Sequence, residues 1–276
     1  MNSNSAFTIG KTHDICQDYA VAGVRASGEP YVIVADGCSS SPDTDIGARL
    51  LVKAAERLLC SSDCLAKDGM QKWHERAARL AMTQAKRMKL NVRCVDATLL
   101  TVHVCGDQFI AACYGDGVIA LQRRDGTLDV HSISFAESYP HYPAYAHQRE
   151  RRILLEARNG NVKEVTRYRQ QRCDGALHPA EKTISSDVVE TFSGKIADYE
   201  FVAVMADGIH SFAETVRGET IKRIEALAPD RVIRELLAFK NTSGAFVQRR
   251  LNKFLSECQK RNWHHHDDLA VGAVCF

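Results

Sequence analysis

The strongest constraint on this chain is a design it uses twice. Tyr31-Val32-Ile33-Val34-Ala35 is an unbroken apolar run that stops on Asp36-Gly37, and Phe201-Val202-Ala203-Val204-Met205-Ala206 stops on Asp207-Gly208. Branched and aromatic side chains pack well on a pleated surface. A short apolar run of this kind reads as a strand buried on both faces. The aspartate then stands where the strand leaves the core. Glycine lets the backbone turn at once and leaves its carbonyl free to face a ligand. Two carboxylates on rigid strand ends suit the holding of a metal ion.

A length of 276 residues fits one large α/β or α+β domain, or two small ones. The formal charge of +2, from 36 basic and 34 acidic residues, gives no electrostatic case for nucleic acid or an anionic membrane as partner. No apolar run approaches the ~20 residues of a membrane helix, and the polar start Met1-Asn2-Ser3-Asn4-Ser5 lacks a signal pattern. The expectation is a cytoplasmic protein without nucleic-acid or membrane partners. The ten cysteines are scattered. Several, such as Cys105, Cys113 and Cys275, lie in apolar runs where a thiol acts as a small hydrophobe. Cys60 and Cys64 stand one helical turn apart, but no second pair completes a zinc site.

In chain order, residues 7–10 suggest a first short strand. Residues 18–23 and 31–35 read as a hairpin across the turn Ser27-Gly28-Glu29-Pro30. A hairpin sets the start of one strand beside the end of the other, so Asp18 joins Asp36. Asp43, Thr44 or Asp45 caps a helix with an apolar stripe through Ile46, Leu50, Leu51, Ala54, Ala55, Leu58 and Leu59. A second helix covers about 70–90. Residues 97–121 read as an antiparallel meander with Asp116 in its middle, between Gly115 and Gly117. That aspartate marks either a bulge with a task or a simple turn. Residues 135–182 are the least regular stretch. They carry an aromatic, proline-rich loop from Tyr139 to Tyr145 and Arg149, Arg151, Arg152, Arg167, Arg169 and Arg172. This is either a mobile flap that greets an anionic substrate or a surface insertion with solvated arginines. Strands near 188–192 and 200–206 follow, then helices near 230–240 and 245–263. The last strand has Asp267-Asp268 at its head, after His264-His265-His266, a triplet weighed as metal ligands.

The strand-edge acids are therefore Asp18, Asp36, Asp116, Asp207 and Asp267, and no histidine recurs at a comparable place. Carboxylates with waters and a backbone carbonyl suit hard octahedral ions, Mg²⁺ or Mn²⁺. Their mutual repulsion in a partly buried cleft also asks for cations. Two such ions lower the pKa of a bridging water and place it for in-line attack, and the natural target is a phosphate ester.

The series Gln17-Asp18, Asp36-Gly37, Ala97-Thr98, Gly115-Asp116-Gly117, Ala206-Asp207-Gly208 and Asp267-Asp268 resembles, in order and spacing, the motifs of the metal-dependent Ser/Thr protein phosphatase 2C family. The resemblance covers nearly the whole chain. Cys16-Gln17-Asp18 and the Ser-rich stretch to Asp45-Ile46-Gly47-Ala48 look like a bacterial branch. The resemblance implies an α+β fold: an α-β-β-α sandwich of two stacked, mainly antiparallel sheets flanked by helices. It implies one catalytic domain over 1–276, with an irregular insertion or flap at about 135–182. It also implies hydrolysis of phosphoserine and phosphothreonine by a metal-bridging water, on two Mg²⁺ or Mn²⁺ ions with a third, weaker site. Carried over by motif, Asp36 bridges both metals. Asp18 and the Gly37 carbonyl complete one site, Asp207 and Asp267 the other, and Asp116 with Asp207 matches the weaker one. Thr98 matches a near-site threonine. The implied partner is a phosphorylated protein substrate, opposite a Ser/Thr kinase, with the phosphatase acting as a monomer.

Three positions depart from the family pattern. His13 stands where some members carry a phosphate-binding arginine, Cys38 where some carry a histidine, and Ala270 where a threonine is usual. His13, or a bound water, is thus the candidate for leaving-group protonation beside Asp18, Asp36, Asp207 and Asp267. The alternative is a catalytically weak or silent module that binds a phosphoprotein or regulatory partner. The presence of all four core acids weighs against it. A haloacid dehalogenase-type phosphohydrolase needs Asp-x-Asp, and Asp36-Gly37-Cys38 lacks the second carboxylate. Cys38 is either a small filler or a thiolate made redox-sensitive by neighbouring cations.

Overall fold

The computed structural model describes residues 1–61, 66–137, 139–157, 162–170, 177–217 and 222–276. Its strands are β1 (Asn2–Thr8), β2 (Tyr19–Val24), β3 (Pro30–Ala35), β4 (Leu99–Cys105), β5 (Gln108–Tyr114), β6 (Gly117–Arg123), β7 (Leu128–Phe135), β8 (Lys163–Gln170), β9 (His178–Ser185), β10 (Val189–Lys195), β11 (Tyr199–Met205), β12 (Phe212–Arg217), β13 (Lys222–Ala226), β14 (Trp263–His265) and β15 (Leu269–Cys275). Its helices are α1 (Thr44–Ser61), α2 (Met70–Arg87), α3 (Arg149–Ala157), α4 (Pro229–Leu236) and α5 (Phe246–Lys260). None of them, among the described residues, is long and apolar enough to cross a membrane.

Two sheets stack face to face. One has seven strands in the order β1-β15-β11-β6-β7-β8-β9, the other five in the order β10-β5-β4-β3-β2. Strand β3 is buried along its whole length, as its unbroken apolar run requires. Successive side chains of a strand point to opposite faces. Val32 and Val34 therefore meet Val204, Ala270 and Val274 between the sheets, while Tyr31, Ile33 and Ala35 pack under α1 and α2. Strand β15 does the same from the other sheet: Leu269, Val271 and Ala273 pack against Val247, Leu251 and Phe254 of α5. The result is the four-layer α-β-β-α sandwich that the resemblance implies. A single Leu-to-Ala truncation in such a core costs about 2–5 kcal/mol.

Several elements differ from the sequence reading. The first strand is Asn2–Thr8, not residues 7–10, and it pairs with β15 at the sheet edge, Asn2 opposite Cys275. Its polar residues hide it: the Asn4 carboxamide oxygen takes the amides of Val247 (2.9 Å) and Gln248 (3.1 Å) at the start of α5. The meander is broken at Asp116, because β5 belongs to the five-stranded sheet and β6 to the seven-stranded one. The described residues of 135–182 are largely regular. They finish β7, form α3, and add β8 and β9 to the sheet by antiparallel pairing. A small sheet in the order β13-β12-β14 was not foreseen. His264 and His265 belong to it, with the His265 ring nitrogen Nδ1 at 2.8 Å from the Asp267 carbonyl, so the triplet builds no metal cluster among the described residues. Cys105 is disulfide-bonded, not a buried thiol. Cys64 and Arg172 lie outside the described residues.

Candidate active site

Strand pairing alone collects the acids. Tyr19 pairs with Ala35, so Asp18, just before β2, and Asp36, just after β3, leave the five-stranded sheet together. Met205 pairs with Val271 and with Val118. Asp207, Asp267 and Asp116 therefore leave the seven-stranded sheet at one end. The Gly115-Asp116-Gly117 step links the two sheets, and it needs its glycines. Their φ values are +106° and +138°, and an added Cβ would lie 2.8 Å from Thr98 or from the Met205 carbonyl. Gly208 is just as tightly held, since a Cβ there would fall 1.7 Å from the Asp268 carbonyl oxygen.

Asp36, Gly37, Asp116, Asp207 and Asp267 line a cleft of about 440 Å³. The Asp36 turn is pinned from below: the Thr98 amide donates to the Asp36 carbonyl (2.9 Å), and the Asp36 amide to the Thr98 hydroxyl (3.2 Å). Asp18 lies beneath, fully buried. Neither of its carboxylate oxygens is met by a donor in hydrogen-bond geometry. Burial, then Asp268 and Asp207, push its pKa well up. Burial, then Asp18 and Asp207, do the same to Asp36. Burial and then Asp207 raise Asp116 to about 8 and lift Asp267 as well. These shifts share one cause: carboxylates stripped of water and set against one another.

His13 does not line the cleft among the described residues. Its Nδ1 lies 3.1 Å from Asp268 and its Nε2 3.7 Å from Asp267. Asp268 was given no role in the sequence reading, yet it is buried and stitches the end of β15 to the N-terminal loop. Its carboxylate accepts the amides of Gly10 (2.7 Å) and Gln17 (2.5 Å). His210 is another omission. It lines the cleft, its Nε2 lies 3.0 Å from the Ser132 hydroxyl, and burial lowers its pKa. A scan of the turn after Asp207-Gly208 would have found it, three residues on. Tyr142, Tyr145 and Arg151 form a further wall, from the stretch read as least regular.

The family model for protein phosphatase 2C matches residues 10–256. The chain belongs to the protein phosphatase 2C family. Membership makes it a phosphoprotein phosphatase acting on serine and threonine, a hydrolase of a family that depends on Mg²⁺ or Mn²⁺. Solved structures of similar fold include the Staphylococcus aureus serine/threonine phosphatase Stp1, at 13% identity and TM-score 0.56, covering 100% of this chain and 95% of that one. The Pseudomonas aeruginosa protein PppA is similar at 14% identity and TM-score 0.52, covering 99% and 97%. The Mycobacterium tuberculosis serine/threonine phosphatase PstP is similar at 13% identity and TM-score 0.50, covering 98% and 96%. No curated protein matches the sequence.

Proposed function

We propose that the cleft is a two-metal protein phosphatase centre, with Asp36 shared between the ions. Asp18 and the Gly37 carbonyl serve one ion, Asp207 and Asp267 the other, and Asp116 with Asp207 a third, weaker position. The observation that carries this is Asp18, a wholly buried carboxylate whose two oxygens accept from no amide, hydroxyl or basic side chain and whose neighbour is another carboxyl, Asp36. A buried charge without a partner is costly, and a divalent cation with its waters removes that cost. Among the described residues no three acidic, histidine or cysteine side chains are arranged to hold an ion alone. When bound, such ions supply Lewis acidity and a water of lowered pKa.

The chain's own residues do the rest. Two rigid sheets fix the carboxylates at strand ends, and the cleft, walled by Tyr142, Tyr145 and Phe135, has room for a phosphorylated side chain. Its contact with buried Asp268 supports a positioning role for His13 in place of proton transfer. The site stands in one domain, in which residues 139–151 of the 135–182 insertion build a cleft wall. We assign it phosphoprotein substrates made by a Ser/Thr kinase, met in the cytoplasm by a monomer. The test is hydrolysis of a phosphothreonine peptide with Mn²⁺, with Mg²⁺ and with chelator, beside Asp36→Asn. Activity with metal, lost in chelator and in the variant, is expected. An intact protein that binds Mn²⁺ and hydrolyses nothing refutes the reading in favour of a phosphoprotein-binding module.

A further inference from the structure

The arginines of residues 149–169 are not equivalent in the structure. Arg167 and Arg169 are taken by Asp129, at 3.1 and 2.7 Å. Arg149 and Arg152 are exposed. Arg151 alone among them, within the described residues, lines the carboxylate cleft. Its guanidinium is held on three sides. One nitrogen donates to the Tyr139 hydroxyl (2.9 Å), another to the Asp96 carboxylate (3.3 Å), and the group lies 5.3 Å from the Tyr145 ring centroid.

Asp96 is a fully buried carboxylate, and its backbone is tied to the acidic turn. The Cys38 amide donates to its carbonyl (2.9 Å), and Gly37 bridges to the next residue, Ala97. The Asp96 side chain also accepts from the Ser41 hydroxyl (2.8 Å). The position of the Arg151 guanidinium is thus set by the same turn that presents Asp36. A guanidinium has five N–H donors in a rigid fork that matches phosphate. Tyr139 and Asp96 take two of them, and a bidentate hold on a phosphate takes two more.

We propose that Arg151 is the phosphate-binding residue of this cleft, with Asp96 as the residue that positions it. It would hold the non-bridging oxygens of a phosphorylated side chain. The proposal rests on the phosphatase reading of the cleft and supplies the anion-binding group that His13, behind Asp268, does not. An arginine that only tied α3 to Asp96 would affect stability and leave phosphate affinity alone.

The experiment uses the Mn²⁺-loaded full chain, with inorganic phosphate titrated by calorimetry and a phosphothreonine peptide assayed for kcat and KM. Arg151→Ala is expected to weaken inorganic phosphate and raise KM about tenfold or more, with kcat changed less and Mn²⁺ affinity kept, beside a lowered melting temperature because buried Asp96 loses a partner. Arg151→Lys, which keeps the charge and loses the fork, is expected to fall between. Asp96→Asn is expected to raise KM in the same direction with kcat nearly kept. Phosphate affinity and KM equal to wild type in Arg151→Ala overturn the proposal. So does a wild-type protein that binds no phosphate. If Arg151→Ala does not fold, Arg151→Lys decides by the same two readouts. Phosphate held through Arg151 by a protein that hydrolyses no peptide would refute the phosphatase reading and leave the phosphate site standing.

Discussion

Asp116 offers a test of the electrostatic frustration in the metal-free cleft. Its carboxyl titrates near 8, through burial and the neighbouring Asp207, while in the unfolded chain it titrates near 4. Between those values the folded protein holds a proton that the unfolded chain has lost. Stability therefore falls as pH rises through the window, and the loss is complete above about pH 8. Each pH unit in the window costs about 1.4 kcal/mol per proton, so the whole window costs about 5 kcal/mol. Asp116 keeps part of its surface in solvent, and screening leaves roughly half of that, about 2.5–3 kcal/mol. For a chain of 276 residues the unfolding entropy is about 0.6 kcal/mol/K, which converts the effect to roughly 4–5 °C. Asp116→Asn removes the titrating group at little change in shape. In chelator, the variant is expected to melt 4–5 °C above wild type at pH 8 and within about 1 °C of it at pH 5. The assay is thermal unfolding across pH 5–8. A difference that does not grow with pH would show that Asp116 carries no such repulsion, and that the crowding of acids here is misread.

Asp18, Asp36 and Asp267 are raised in the same direction, so saturating Mn²⁺ is expected to raise the melting temperature of wild type more at pH 8 than at pH 5. Calorimetry of Asp18→Ala is expected to show Mn²⁺ affinity reduced at least tenfold, and equal affinity would remove Asp18 from the metal centre. Asp268→Ala strands the amides of Gly10 and Gln17 and is expected to cost about 2–3 kcal/mol in denaturant unfolding. In contrast, His13→Gln is expected to leave the shape of the pH–rate profile unchanged. Asn4→Ala uncaps α5 from outside, with an expected loss of about 1 kcal/mol, read as a shift in the denaturant midpoint at constant slope.

The sequence shows best what is local. An apolar run, a turn and a returning run fix the Asp18–Asp36 hairpin, because pairing register follows from the turn and the alternation of side chains. The outer helix α1 follows from its apolar stripe. What escaped the reading is what depends on distant partners. Periodicity shows that β5 and β6 are strands but not that they belong to different sheets, so the switch at Asp116 looked like a turn in a meander. Strand β1 is polar because its Asn4 caps a helix more than 240 positions away. Arg151 resembles its neighbours in composition. Its difference is Asp96, 55 positions earlier in the chain.

The placement of the acids explains why the site is built where it is. Each sheet alone brings its acids to one end, Asp18 and Asp36 from one, Asp116, Asp207 and Asp267 from the other. Stacking the sheets faces the two sets across a seam whose interior is apolar on both sides. Charges at such a seam are poorly hydrated, Asp18 wholly buried and Asp36, Asp116, Asp207 and Asp267 partly so, so they repel strongly while the cleft still admits ions from solvent. A cation shared between the sets would then also bind sheet to sheet. The Gly-Asp-Gly crossover carries the chain across that same seam, which is why Asp116 must be flanked by residues without Cβ atoms. The prediction drawn from it, stability gained when a site carboxylate is lost, follows from the same fact. A centre poised to take up divalent cations is held together, in their absence, against its own charge.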